Sequence, residues 1–145
     1  GFNYRMTELQ GAIGKVQLSK LNSIILNNKK RYLALSKEIK KLYKVRKIPT
    51  QCEPIYDCFI FFEEDKKLRK KIVDKLFKIG IGTKNLPDAI KWHCSYFWDH
   101  ALPKDDVKET KITYDLLSKA ISIPIWLKMP IGKYIEIGKF IKNLK

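Results

Sequence analysis

Apolar residues recur at gaps of three, four and seven through the first third of the chain. Leu18, Leu21, Ile25, Tyr32, Leu35, Ile39 and Leu42 fall on one helical face. Asn28 occupies the stripe position between Ile25 and Tyr32, and Asn27-Asn28 predicts a bend there. Ahead of the stripe, Thr7-Glu8-Leu9-Gln10 has the spacing of a capping box, with Glu8 placed to favour the positive end of the helix. Gly11 and Gly14 sit one turn apart near the start. Each costs up to about 1 kcal/mol in a helix relative to Ala, so the pair predicts close approach of another backbone or a large partner surface. Pro49 predicts that the helix ends near Lys44–Arg46.

Beyond a linker from Pro49 to Pro54 the period changes. Ile55 to Phe62 is aromatic and β-branched with one charge, which predicts a buried strand. Glu63-Glu64-Asp65 stops it, as a strand end and helix cap rather than a catalytic carboxylate pair. Asp65 can cap a second helix carrying Leu68, Ile72, Val73, Leu76 and Phe77, with Gly80 as its stop. A short strand is predicted over Ile79 to Thr83, and an aromatic loop over Lys84 to Lys104. A third helix is predicted from Asp105 to Lys119, a strand over Ala120 to Ile125 and a last helix from Ile131 to Asn143. Pro124 puts its strand at an edge or at its own end. The order predicts an α+β layer, a short sheet covered by helices.

Charge changes the picture less than it first suggests. The 145 residues carry 30 Lys plus Arg against 15 Asp plus Glu, a formal net charge of +15. Clustered cations fit nucleic acid. Yet 26 of the 30 are Lys, and Arg is the residue of bidentate phosphate and base readout. Most of the charge therefore reads as a solvated surface. The three cysteines, Cys52, Cys58 and Cys94, form no Cys-x-x-Cys pair, and His93 and His100 complete no zinc set with them; reduced thiols in a cytoplasmic protein and no metal are expected. The longest nearly apolar stretch is Ala120–Leu127, far short of the roughly 20 residues a spanning helix needs. The structured pattern begins almost at Gly1, and the expectation is a segment of a longer chain.

The opening residues carry a more specific signal. Gly1-Phe2-Asn3-Tyr4-Arg5-Met6-Thr7-Glu8-Leu9-Gln10-Gly11-Ala12-Ile13-Gly14, followed by Gln17-Leu18 and Lys20-Leu21, resembles the G-x-N-x-R-M-[ST]-x-L-Q-A-A-I-G stretch and the Q-L-x-K-L that follows it in sugar aminotransferases of the DegT/DnrJ/StrS type. Ala120-Ile121-Ser122-Ile123-Pro124-Ile125 resembles a second, weaker motif of that family, and Ile137 to Ile141 resembles its final helix. Gly11 stands where the family usually has Ala. The resemblance covers essentially the whole chain but only the last third or so of a family member. It implies the C-terminal part of a fold-type-I aminotransferase: residues 1–48 as an interface motif and long helix, residues 49–145 as a small α+β domain with a short, mainly antiparallel sheet, and a large cofactor-binding domain upstream.

The implied cofactor is pyridoxal 5'-phosphate, and the implied reaction moves an amino group, from glutamate, onto a keto sugar or sugar nucleotide for polysaccharide or lipopolysaccharide synthesis. The lysine that forms the Schiff base is expected upstream, so no catalytic residue is assigned here. Asn3 matches the family asparagine that hydrogen-bonds the cofactor phosphate of the neighbouring subunit, and Arg5 matches an arginine able to neutralise phosphate, bind a substrate carboxylate or brace the loop. A homodimer through the first helix and the Asn3 loop follows. Trp92, His93, Tyr96 and His100 are candidates for substrate contact, since rings stack on sugar faces and imidazoles donate to hydroxyls or phosphate. This loop departs from the family's usual wording, which leaves the sugar open. Trp92, Phe97 and Trp98 can instead fill the small domain's core, with His93 as a satisfied polar group there. Nucleic acid and membrane are not expected partners. A basic nucleic-acid-binding α+β domain and a catalytically dead regulatory homologue are the rival readings.

Overall fold

The computed structural model describes residues 5–82 and 94–145. The capping box forms as its spacing predicts. The Thr7 hydroxyl accepts from the Gln10 amide at 3.3 Å, and Gln10 Oε1 accepts from the Thr7 amide at 2.9 Å. They open α1, Glu8–Ile39. Its 32 residues rise about 48 Å at 1.5 Å each. The helix runs unbroken through Asn27-Asn28. Each amide side chain finds a carbonyl without disturbing the helix: Asn27 donates to Ser23 O, and Asn28 donates across to Ile55 O at 3.1 Å.

The apolar stripe divides. Tyr32, Leu35 and Ile39 are buried, but Leu18 is 70% exposed and Leu21 and Leu42 are also exposed. The helix also stops earlier than Lys44–Arg46. The chain turns after Ile39, and Tyr43 goes into the core with its ring 5.0 Å from that of Phe61. Lys44–Val45 then forms a short edge strand, β1, opposite Phe62 and Phe61. Ring burial and strand pairing outweigh the helical pattern there, because propensity is a weak preference beside tertiary contact.

The central strand β2, Cys58–Phe62, pairs antiparallel with both neighbours. Its second partner is β3, Ala120–Pro124, with Phe59 opposite Ile123 and Phe61 opposite Ile121. The sheet order is β1-β2-β3. Pro124 closes an edge strand, where its missing N–H breaks no ladder. The strand begins later than Ile55, because Tyr56 takes a left-handed φ of 55°.

Between β2 and β3 lies α2, Lys66–Lys78. Asp65 caps it by accepting from Lys67 and Leu68, and Glu63 accepts from the Asp65 amide, so the acidic triplet is a strand end and cap. Gly80, at φ 79°, ends it. The Ile81 amide reaches Leu76 O and the Gly80 amide reaches Phe77 O, the paired bonds of a left-handed helix stop. Residues 79–82 form no strand; Thr83 lies outside the described residues. The expected third helix is two short ones, α3 Lys104–Glu109 and α4 Lys111–Leu117. Thr110 divides them, its hydroxyl donating back to Val107 O at 2.7 Å. The last helix, α5, is Ile131–Lys142.

One core joins these elements. Phe59, Phe61, Ile121 and Ile123 present one sheet face to Leu35 and Ile39 of α1, Ile72 and Leu76 of α2, and Tyr134, Ile137 and Ile141 of α5. Complete burial of such a side chain contributes about 1.5–3 kcal/mol. The result is an α+β arrangement, a long helix leading into a small three-stranded antiparallel sheet covered by helices.

Candidate functional site

The N-terminal segment is presented by the free end of α1. Arg5 is exposed and makes no hydrogen bond or ion pair among the described residues. The capping box behind it fixes where the segment enters the helix. Along the first turns, Met6, Leu9, Ile13 and Val16 are all more than half exposed. Among the described residues a Cβ added at Gly11 would meet Met6 Sδ at 3.8 Å, and one at Gly14 would meet nothing within 4 Å, so no close backbone approach there explains the two glycines. Asn3 lies outside the described residues.

The aromatic cluster is carried by a different part of the chain. Cys94 is buried and leads into a single helical turn, Ser95–Phe97. The Tyr96 ring stacks on Tyr114 of α4, 4.5 Å between centroids and 15° between planes, and Phe97 meets both edge-on. One face of Tyr96 is thus covered by Tyr114. Trp98 is 38% exposed. Two amides, of Ala101 and Leu102, fold back onto Trp98 O, and His100 is exposed within that turn. The described aromatics form a local cluster of half-buried rings apart from the main core, not part of it. Trp92 and His93 lie outside the described residues. The Arg5 segment and the Tyr96–His100 turn share no described hydrogen bond or ring contact.

Neither Lys29 nor Lys111 is suited to act as a nucleophilic amine. Lys29 and Lys111 are held above the usual lysine range, by hydrogen bonds to Glu53 and Asp115 respectively. That is opposite to the lowered pKa that activates a lysine. Burial pushes the Cys58 thiol up, away from reactive thiolate. Among the described residues no group of three or more His, Cys, Asp or Glu is placed to hold a metal ion, and no helix is long and apolar enough to cross a membrane.

Tested against pyridoxal phosphate, the described residues fit one part of the task. Arg5 offers an exposed guanidinium suited to a phosphate. They do not build a cofactor pocket by themselves. Two anchors of the small domain were not marked by the sequence pattern. Arg31 donates to Met129 O at 2.9 Å and Leu127 O at 2.6 Å, tying the loop after β3 to α1. The Tyr134 hydroxyl accepts from the Trp126 amide at 2.7 Å and donates to Pro124 O at 3.3 Å. The scarcity of Arg among so many Lys was the available signal for the first.

Comparison with known proteins agrees with this architecture. The model of the DegT/DnrJ/EryC1/StrS aminotransferase family matches residues 1–141. No curated protein sequence matches the chain. Among solved structures, the chain is similar to PseC of Helicobacter pylori, an aminotransferase involved in the biosynthesis of pseudoaminic acid, with a TM-score of 0.72 at 18% identity. A putative sugar aminotransferase of Streptococcus pneumoniae in its PLP form gives 0.71, also at 18% identity. The alignments cover 99% and 97% of this chain, which spans 38% and 36% of the lengths of those two proteins.

Proposed function

Because the chain belongs to the DegT/DnrJ/EryC1/StrS aminotransferase family, we propose that it serves as the C-terminal portion of a pyridoxal-phosphate-dependent sugar aminotransferase. The observation that carries the reading is the family match over residues 1–141, supported by likeness of fold to two aminotransferases. The intact protein would carry an amino group from glutamate to a keto sugar or sugar nucleotide. The product would serve polysaccharide or lipopolysaccharide synthesis, in the cytoplasm. When bound, pyridoxal phosphate supplies the electron sink that makes the transfer possible.

The segment's own work is to bind and to orient. Residues 1–48 are an interface unit and residues 49–145 a small domain. The exposed start of α1 packs against a large cofactor-binding domain outside residues 1–145 and against a second subunit. There the Asn3 amide donates to the cofactor phosphate of the neighbouring subunit, adding no charge, and Arg5 neutralises that phosphate. His100 donates to a sugar hydroxyl or phosphate, and Tyr96, braced by Tyr114, packs on the sugar. Trp92 and His93 belong to the same substrate loop. The lysine that holds the cofactor is outside residues 1–145, and this segment alone is inactive.

The test uses the full-length protein. Asn3→Ala and Arg5→Gln should each weaken cofactor retention on desalting by about tenfold or more, the worth of one hydrogen bond to a charged group, while the dimer persists in sedimentation. Retention equal to the wild type would remove these residues from the site. Tight cofactor binding without any transfer from glutamate would favour the dead regulatory homologue.

A further inference from the structure

The outward face of α2 carries a feature that transamination does not use. Lys66, Lys67, Lys70, Lys71, Lys75 and Lys78 are all exposed on this 13-residue helix. Its inner face, Ile72 and Leu76, is sealed in the core, so the lysines are held on a fixed surface about 18 Å long. One acid interrupts them, Asp74, which pairs with Lys70 at 2.7 Å. Lys67, Lys75 and Lys78 have no hydrogen-bond or ion-pair partner among the described residues. At the C-terminal end of the same face stands Phe77, 76% exposed, followed by Ile79, 50% exposed.

Two properties select the partner. Every cation on this face is Lys, a hydrated point charge without the planar fork that reads phosphate pairs or base edges. The outward aromatic and the adjoining aliphatic residue have nothing to meet on a nucleic-acid backbone. Lysines around an apolar tip are the pattern of a helix lying at an anionic lipid surface, charges at the headgroups and ring just below them. We propose that α2 docks the enzyme reversibly on an anionic lipid bilayer. The contact is peripheral, and it revises the expectation that membrane plays no part. It does not depend on the transamination reading.

The test is co-sedimentation of the full-length protein with vesicles of phosphatidylcholine, with and without phosphatidylglycerol. Binding is expected only with phosphatidylglycerol and should fall as salt rises. Each lysine near such a surface is worth about fivefold in partitioning, so Lys67→Gln, Lys75→Gln and Lys78→Gln together should weaken binding by about a hundredfold. Phe77→Ser should weaken it further at every salt concentration. All four positions are exposed, and an unchanged melting curve for each variant shows that the fold is kept. No sedimentation with phosphatidylglycerol vesicles at low salt would overturn the proposal, as would full binding by the triple variant. So would duplex DNA retaining the protein as well as the vesicles do, with Phe77→Ser without effect on either.

Discussion

Arginine is rare in this chain, and two of the four, Arg31 and Arg69, hold carbonyls. Arg31 reaches three of them, on Asn27, Leu127 and Met129, and Arg69 places Nε and a terminal nitrogen on Ala120 O at 3.1 and 2.8 Å. A lysine has one nitrogen to offer where the guanidinium has three. Arg31→Lys should therefore cost about 1–3 kcal/mol of stability in urea titration, as at least one carbonyl loses its charged donor. Gly138 shows the opposite economy of size. A Cβ there would lie 2.6 Å from Glu38 Cβ, so Gly138→Ala should destabilise by about 1–3 kcal/mol through overpacking. Gly132, open on all sides in the same helix, should gain up to about 1 kcal/mol on the same change. The two melting curves should shift in opposite directions. Both helical glycines look alike in the sequence, because only the helix crossing distinguishes them.

At the scale of elements, the sequence was most readable where local chemistry decides. The Thr7 and Asp65 caps, the Gly80 stop and the strand ending at Pro124 stand where their residue types predict. Contact between distant residues was less readable. Tyr43 leaves the predicted helix for Phe61, and Val45 joins an edge strand, neither of which local pattern shows, because the partner strand begins more than ten residues later. Three tyrosines fasten helices and turn to the sheet, and burial raises each of them, Tyr32, Tyr43 and Tyr134, above the ordinary value of 10.0. The folded state then holds protons that the unfolded chain releases first. Stability from this source is present below pH 10 and lost as pH rises through the higher folded values. The urea midpoint should fall as pH climbs past that point; a midpoint that rises there would show the rings to be ionised in the fold. Tyr134→Phe should lower the midpoint at neutral pH, by about 1 kcal/mol or more, because the Trp126 amide loses its acceptor.

For the whole molecule, the decisive feature is the half of α1 that this chain leaves uncovered. Leu9 is 71% exposed and Ile13 54%, on a helix whose other half is locked into a core. The apolar stripe passes from exposed Leu18 and Leu21 to buried Tyr32, Leu35 and Ile39 with no change of period, so the sequence could not show where burial begins. In the intact protein Leu9→Asp with Ile13→Asp should shift sedimentation from dimer towards monomer and release cofactor, leaving the small domain folded. A dimer unchanged by both substitutions would place the interface elsewhere. The candidate site was legible to the same degree: the capping box leading out of Arg5 was readable residue by residue, whereas the support of Tyr96 by Tyr114 depends on a helix break at Thr110 that propensity does not mark.

The central claim is that this segment completes an aminotransferase. It is tested most directly by the absorbance spectrum of the full-length protein loaded with pyridoxal phosphate, recorded before and after glutamate is added. A cofactor band that converts to the amine form with glutamate, and reverts when a keto sugar nucleotide is supplied, is the predicted result. A protein that binds no cofactor and shows no band would contradict it.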